Sequence, residues 1–305
     1  MKSRNISLDL FKIILAVFVV LIHCFFLKDI SLDVYYLTTN GLFRTAVPVF
    51  FIINGYFFTQ VIEKKTIVKW MKRVFILYFV WMLIYAPLWF HLDVKSILIN
   101  FFVGFHHLWY IKALLLCGML LYVMKKMKIK FLFLISFILF FLGSLIQFLK
   151  NIHILYFDVY SHRNFLFLGL PFFILGYLIR KTSWQTKISG KHNILFILIF
   201  TVTLLIESYL HYHFKFDRND NLFSLILLCP LIFIYVINYQ CYIKFNSKSI
   251  SLISTSIYLL HPWVMHFLNM NYKINSVFLA IITISISFAL SFVLIKINER
   301  IKYLL

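Results

Sequence analysis

The chain has 305 residues, of which 63% are hydrophobic and only 13% charged, and it carries a net charge of +20 with a mean hydropathy of +0.92. Soluble domains are nearer half apolar and a quarter charged, so this composition excludes a soluble globule and defines a multi-span membrane protein. The basic residues fall in clusters between apolar runs instead of in a stripe with interleaved aromatics, which argues against nucleic acid as a partner and for membrane lipids.

Ten apolar runs of helix-spanning length follow in chain order, near 10–27, 42–61, 73–90, 108–124, 131–149, 165–179, 193–210, 222–238, 251–268 and 276–295. The fold predicted is therefore all-α, a polytopic membrane bundle of about ten transmembrane helices forming a single domain over residues 1–305, with no extracellular accessory domain. The first run holds Lys12 and His23. Eleven residues at 100° each bring both side chains to one helix face, about 16 Å apart along the axis. Ionisable groups at bilayer depth are costly and default to a functional reading. No small-x-small cleavage site follows, so the run reads as an anchor helix and not as a cleaved signal. The sixth run contains Gly169, Pro171 and Gly176 and is expected to be kinked or to begin earlier, near Leu155, while 97–105 is expected to be a short re-entrant piece. Cys24, Cys117, Cys229 and Cys241 show no CxxC or metal-ligand spacing and read as small core residues; no metal is expected.

Orientation follows from the loops. One side gathers twenty Lys and Arg, among them Lys2, Arg4, Arg73, Lys244 and Lys248, against seven on the other: Lys28, Lys95, Lys150, Arg163, Lys215, Arg218 and Lys273. That asymmetry predicts both termini in the cytoplasm and an even number of spans.

With that topology, polar residues that look scattered gather at one level. His23 and Arg44 fall in the outer half of the first two spans; His106, His107, Trp109 and Tyr110 lead the fourth; Glu207 ends the seventh; and His261 lies within the ninth. Such groups need partners or a water-filled cavity in hydrocarbon, so the expectation is that they share one. Taken singly, each has a plainer reading: Arg44 snorkelling to headgroups, Trp109 and Tyr110 as interfacial belt residues, Lys112 with no evident role. Asn54 and Gly55 are expected to permit close helix approach. The HExxH, GxGxxG and GxSxG motifs of soluble enzymes are absent from the sequence.

Four segments carry a resemblance. LDLFKIILAVFVVLIH (8–23), FRTAVPVFFIINGYFF (43–58), HLWYIKAL (107–114) and SIYLLHPW (256–263) resemble, in order, segments of the acyltransferase-3 family of bacterial integral membrane proteins. Two departures from that pattern are Lys12, where the family usually has Arg, and Asn54, where it often has Ser; the first keeps the charge but loses a bidentate fork.

The resemblance implies transfer of an acyl group, most simply acetyl from cytoplasmic acetyl-CoA, through the membrane to a hydroxyl of a cell-surface or exopolysaccharide carbohydrate, in the bacterial cytoplasmic membrane. It implies His23 as general base or transient acyl acceptor, with Arg44, Glu207 and His261 supporting it. Lys12 and Arg73 would attract the CoA phosphates, and His107, Trp109 and Tyr110 would contact the carbohydrate or lipid-linked glycan. Polysaccharide-synthesis proteins are the implied partners. The competing class is a transporter or exporter of polysaccharide or a small molecule, against which stands the lack of a matched pair of Gly/Pro-broken helices in two halves.

Overall fold

A computed structural model describes residues 5–156, 158–188, 190–217, 220–239 and 247–305. Lys2, Arg4, Arg218, Cys241 and Lys244 lie outside the described residues, as does the side chain of Lys248. The fold is all-α, with no strand among the described residues. In chain order the helices are α1 (Ile6–His23), α2 (Leu32–Thr38), α3 (Ala46–Glu63), α4 (Ile67–Ile84), α5 (Ala86–Trp89), α6 (Val94–Val103) and α7 (Trp109–Met124). They continue with α8 (Ile129–Asn151), α9 (Leu170–Lys181), α10 (Trp184–Lys187), α11 (Lys191–His213), α12 (Leu225–Asn238), α13 (Ser247–Asn271) and α14 (Ser276–Arg300).

Each of the ten expected apolar runs is occupied by a helix. Among the described residues, six stretches are long and apolar enough to cross a membrane: Ile6–His23, Leu32–Glu63, His106–Met124, Ile129–Asn151, Lys191–His213 and Ser276–Arg300. Boundaries differ from expectation for local reasons. Helix α4 stops at Ile84, short of position 90: Pro87 has no N–H to give the carbonyl of Leu83, and it stands instead in the first turn of α5, where no such donor is needed. The stretch 97–105 belongs to a ten-residue helix, α6, capped by Asp93 and ended by Gly104, whose φ of 101° strains any residue with a Cβ. The sixth run begins at Phe165, not near Leu155, as a π-helical turn over Phe165–Gly169 whose first amides, Leu166 and Phe167, donate to the Asn164 side chain, each at 2.9 Å.

The chain forms two compact units, Met1–Phe50 with Gln185–Tyr303 and Leu305, and Phe51–Trp184 with Leu304. In the first, α1 packs on α13 and α13 on α14, while α11 packs on α12 and α2. Ala16, Val20 and Cys24 recur every fourth residue along α1 and meet Ile253, Ile257, Val264 and Leu268 of α13 and Leu279 and Ala280 of α14. His261 sits four residues past Ile257 on that α13 stripe and is fully buried, so helical periodicity itself carries an imidazole into this core.

In the second unit, α8 packs on α9, and α7 packs on α4 and on the Phe165 turn. Helices α3 and α9 approach through two glycines. A Cβ on Gly55 would overlap the Phe173 carbonyl, and one on Gly176 would overlap the Ile52 carbonyl, so each helix lays its backbone on the other's missing side chain. Both neighbours are backbone and cannot rotate away. Gly55→Ala and Gly176→Ala are each expected to cost about 1–3 kcal/mol or more through overpacking, seen as a lower thermal midpoint in detergent; an unchanged midpoint would show that the helices do not touch there.

Candidate active site

The first unit holds an imidazole pair. His23 closes α1, and its ring centroid lies 5.2 Å from that of His261 with the planes tilted by 36°. The orientation of His261 follows from its neighbour in sequence. Pro262 stands inside α13 and cannot donate to the carbonyl of Tyr258, four residues earlier. The His261 Nδ1 takes that carbonyl at 2.8 Å and approaches Ile257 O at 3.2 Å. Carbonyl oxygens only accept, so Nδ1 carries the proton, and in the neutral ring the basic lone pair is on Nε2. A His-Pro dipeptide in a helix thus places an imidazole and fixes its tautomer together.

Arg44 stands at the end of a short 3-10 turn, Leu42–Thr45. Thr39 Oγ1 donates to Phe26 O at 2.9 Å, and the Phe43 ring lies 4.6 Å from Phe18 and 6.4 Å from Phe26. The Thr39–Arg44 segment therefore runs beside the end of α1, the level of His23. Arg44 is only 7% exposed, and its two terminal nitrogens are fixed: Nη1 donates to Asp220 Oδ1 in an ion pair, and Nη2 to Asn40 Oδ1 at 2.8 Å. Its Nε, like the Nδ2 of Asn40, is a buried donor with no hydrogen-bond partner among the described residues. Donors left open in a buried site cost free energy unless something with a lone pair meets them. The burial of Arg44 also sets aside the plainer reading in which it snorkels to headgroups.

Glu207 has a different setting. Its Oε1 accepts from Phe223 N at 2.6 Å, and its Oε2 from Ser224 N at 2.9 Å and Ser224 Oγ at 2.7 Å. Both oxygens are thus engaged at the start of α12, where the first amides have no partner within the helix. The ring beside His23 is that of His261. Glu207→Ala is expected to lower unfolding stability by about 1–2 kcal/mol, as loss of a helix cap does, with Glu207→Gln closer to wild type; equal thermal midpoints for all three proteins would refute the capping role.

Lys12 pairs with Asp9 on its own helix, Nζ to Oδ1 at 2.9 Å; the Lys12 side chain is 18% exposed and that of Asp9 3%. Arg73 is exposed on α4. In the second unit, buried His107 meets the buried Tyr85 ring edge-on at 5.2 Å. Trp109 has the Arg163 guanidinium 5.7 Å from its ring. The Tyr110 hydroxyl accepts from Asn54 Nδ2 at 2.9 Å, and its ring lies 4.6 Å from that of Phe51.

The structure thus gathers His23 with His261, and Arg44 with Asn40 and Asp220, in one unit; His107, Trp109 and Tyr110 belong to the other. Four partners were not singled out in sequence. Asp9 and Asn40 had a signal, the i,i+3 and i,i+4 spacing to Lys12 and Arg44. The Tyr258 carbonyl was legible from Pro262. Asp220, separated from Arg44 by 176 residues, had none.

These features define an all-helical, polytopic membrane protein with ionisable side chains held inside it. The family described as an acyltransferase domain matches residues 5–296, and the chain belongs to this acyltransferase-3 family. Among curated proteins it is similar to an amino-acid racemase of Enterococcus faecalis, 26% identical over 337 aligned positions that cover 99% of this chain and 47% of that protein. It is also similar to a serine/alanine racemase of Enterococcus gallinarum, 30% identical over 303 positions covering 89% of this chain and 43% of that protein. The chain spans less than half the length of these relatives. No solved structure matches it.

Proposed function

We propose that this membrane acyltransferase moves an acetyl group from cytoplasmic acetyl-CoA through the bacterial cytoplasmic membrane to a hydroxyl of a cell-surface or exopolysaccharide carbohydrate, with both termini in the cytoplasm. The observation that carries the reading is the contact between His23 and His261, in a chain whose family transfers acyl groups.

Two routes use the same atoms. In the first, His23 takes the proton of the acceptor hydroxyl as that oxygen attacks the thioester carbonyl; the oxyanion collapses, the C–S bond breaks, and the leaving CoA thiolate recovers the proton from His23. In the second, His23 attacks the thioester, the C–S bond breaks and the CoA thiolate leaves with the proton from the other ring nitrogen of His23; the acceptor oxygen then displaces the imidazole from the acyl group while the Nε2 of His261 takes the hydroxyl proton and passes it to the departing His23 ring. Both pass through an oxyanion, and the buried donors Arg44 Nε and Asn40 Nδ2 are available for it. Asp220 holds the guanidinium in place. Lys12 and Arg73 are assigned to the CoA phosphates, and His107, Trp109 and Tyr110 to contact with the glycan.

A second reading is favoured by the names of the relatives. Proteins called amino-acid and serine/alanine racemases share this chain over less than half their length, which suggests that the membrane part handles an amino acid, as a transporter of small molecules. Mass spectrometry of surface glycans from cells with and without the gene separates the two. Loss of acetyl ester mass from one glycan on deletion supports acyl transfer; unchanged glycans together with lost uptake of labelled serine support transport.

A further inference from the structure

The second unit contains a cavity of about 210 Å³ that shares Trp109 with the proposed glycan contact, but whose two basic residues, Lys112 and Arg163, have no part in the reaction described above. Its walls come from three places: Phe102 and Val103 at the end of α6, Trp109, Lys112 and Leu116 on α7, and Tyr160, Arg163 and Asn164 before the Phe165 turn. Two of these, Lys112 and Arg163, are basic, and the lining includes no acid. The Lys112 ammonium lies 5.9 Å over the Phe102 ring and forms no ion pair among the described residues; the Arg163 guanidinium lies over Trp109. Two like charges around one small cavity repel each other, and a bound anion reverses the sign of that term. Lys112 also sits within an apolar helix, where an uncompensated charge is costly and marks a ligand or ion site.

The size and the walls narrow the ligand. A volume of about 210 Å³ admits a headgroup-sized anion and is too small for a nucleotide. Phe102 is 66% exposed and Phe101 beside it 55%, and α6 also exposes Val94 and Leu98, with Lys95 its exposed charge near the other end, so one side of the cavity adjoins surface suited to acyl chains. Arg offers a planar fork to phosphate oxygens and Lys a point charge, the usual complementary pair for that group. We propose that the cavity between Lys112 and Arg163 binds the phosphate of an anionic amphiphile, with its chains along α6.

The test is native mass spectrometry of the full-length protein purified from neutral detergent with equimolar phosphatidylglycerol and phosphatidylcholine. Wild type is expected to retain phosphatidylglycerol at least tenfold over phosphatidylcholine. Lys112→Gln/Arg163→Gln is expected to lose that preference, and Lys112→Arg, which keeps the charge, to retain it and so control for misfolding. Millimolar glycerol 3-phosphate forms the second arm: displacement of the lipid confirms that phosphate is what is held, and binding of glycerol 3-phosphate without any lipid preference assigns the site to a soluble phosphate and overturns the lipid assignment. Equal lipid ratios in wild type and double variant, with no binding of glycerol 3-phosphate, overturn the proposal altogether.

Discussion

Asp220→Ala is expected to lower unfolding stability by about 3–5 kcal/mol, because it strands the Arg44 guanidinium without its counter-charge in a buried setting. The asymmetry of buried pairs sharpens the expectation. Removing both charges together, as in Arg44→Met/Asp220→Leu, leaves two apolar side chains of similar size and should recover most of the stability while leaving transfer lost. Thermal or denaturant unfolding in detergent reads the first effect, and turnover the second. A double variant as unstable as Asp220→Ala would mean that the pair is not what holds this region. A double variant with wild-type turnover would remove Arg44 from the reaction.

The second large effect concerns His23. His23→Gln keeps a polar side chain of similar reach but has neither the basicity nor the nucleophilicity of imidazole, and it is expected to slow CoA release by a factor of about 10²–10⁴, with little change in thermal midpoint. His261→Gln is expected to do the same to a lesser degree in the base route and to a comparable degree in the acyl-imidazole route, where His261 must deprotonate the acceptor. Trapping of labelled acyl protein by rapid acid quench in His261→Gln, and not in His23→Gln, selects the acyl-imidazole route. Normal turnover in His23→Gln contradicts both.

Much of the fold was legible because its information is local. Each apolar run declared a helix through length and hydropathy, and the errors lay at Pro87 and Gly104, where backbone chemistry set the ends. The glycine crossing was half legible: Gly55 announced close approach, but its partner Gly176 was visible only once Phe173 and Ile52 were seen to face it. Within the site, His23 and Lys12 stood out as charges in an apolar run, and His261 as part of a late helix motif. What the sequence could not give was pairing over distance. Asp220 looked like one more acid in a polar loop, and nothing local ties it to Arg44. Glu207 shows the converse: a carboxylate near a membrane helix end reads as chemistry in sequence, and the structure engages both its oxygens at the start of the next helix.

The central claim is that one chain accepts the acyl group on the inner side and delivers it outside. Proteoliposomes loaded with radiolabelled acetyl-CoA, carrying the protein in the cytoplasm-inward orientation and washed free of external donor, test it with cell-wall glycan supplied outside. The account predicts label on the external glycan, dependent on His23, and equimolar free CoA in the lumen. Label that stays on luminal acetyl-CoA, while a small solute such as serine crosses in a protein-dependent way, would contradict it.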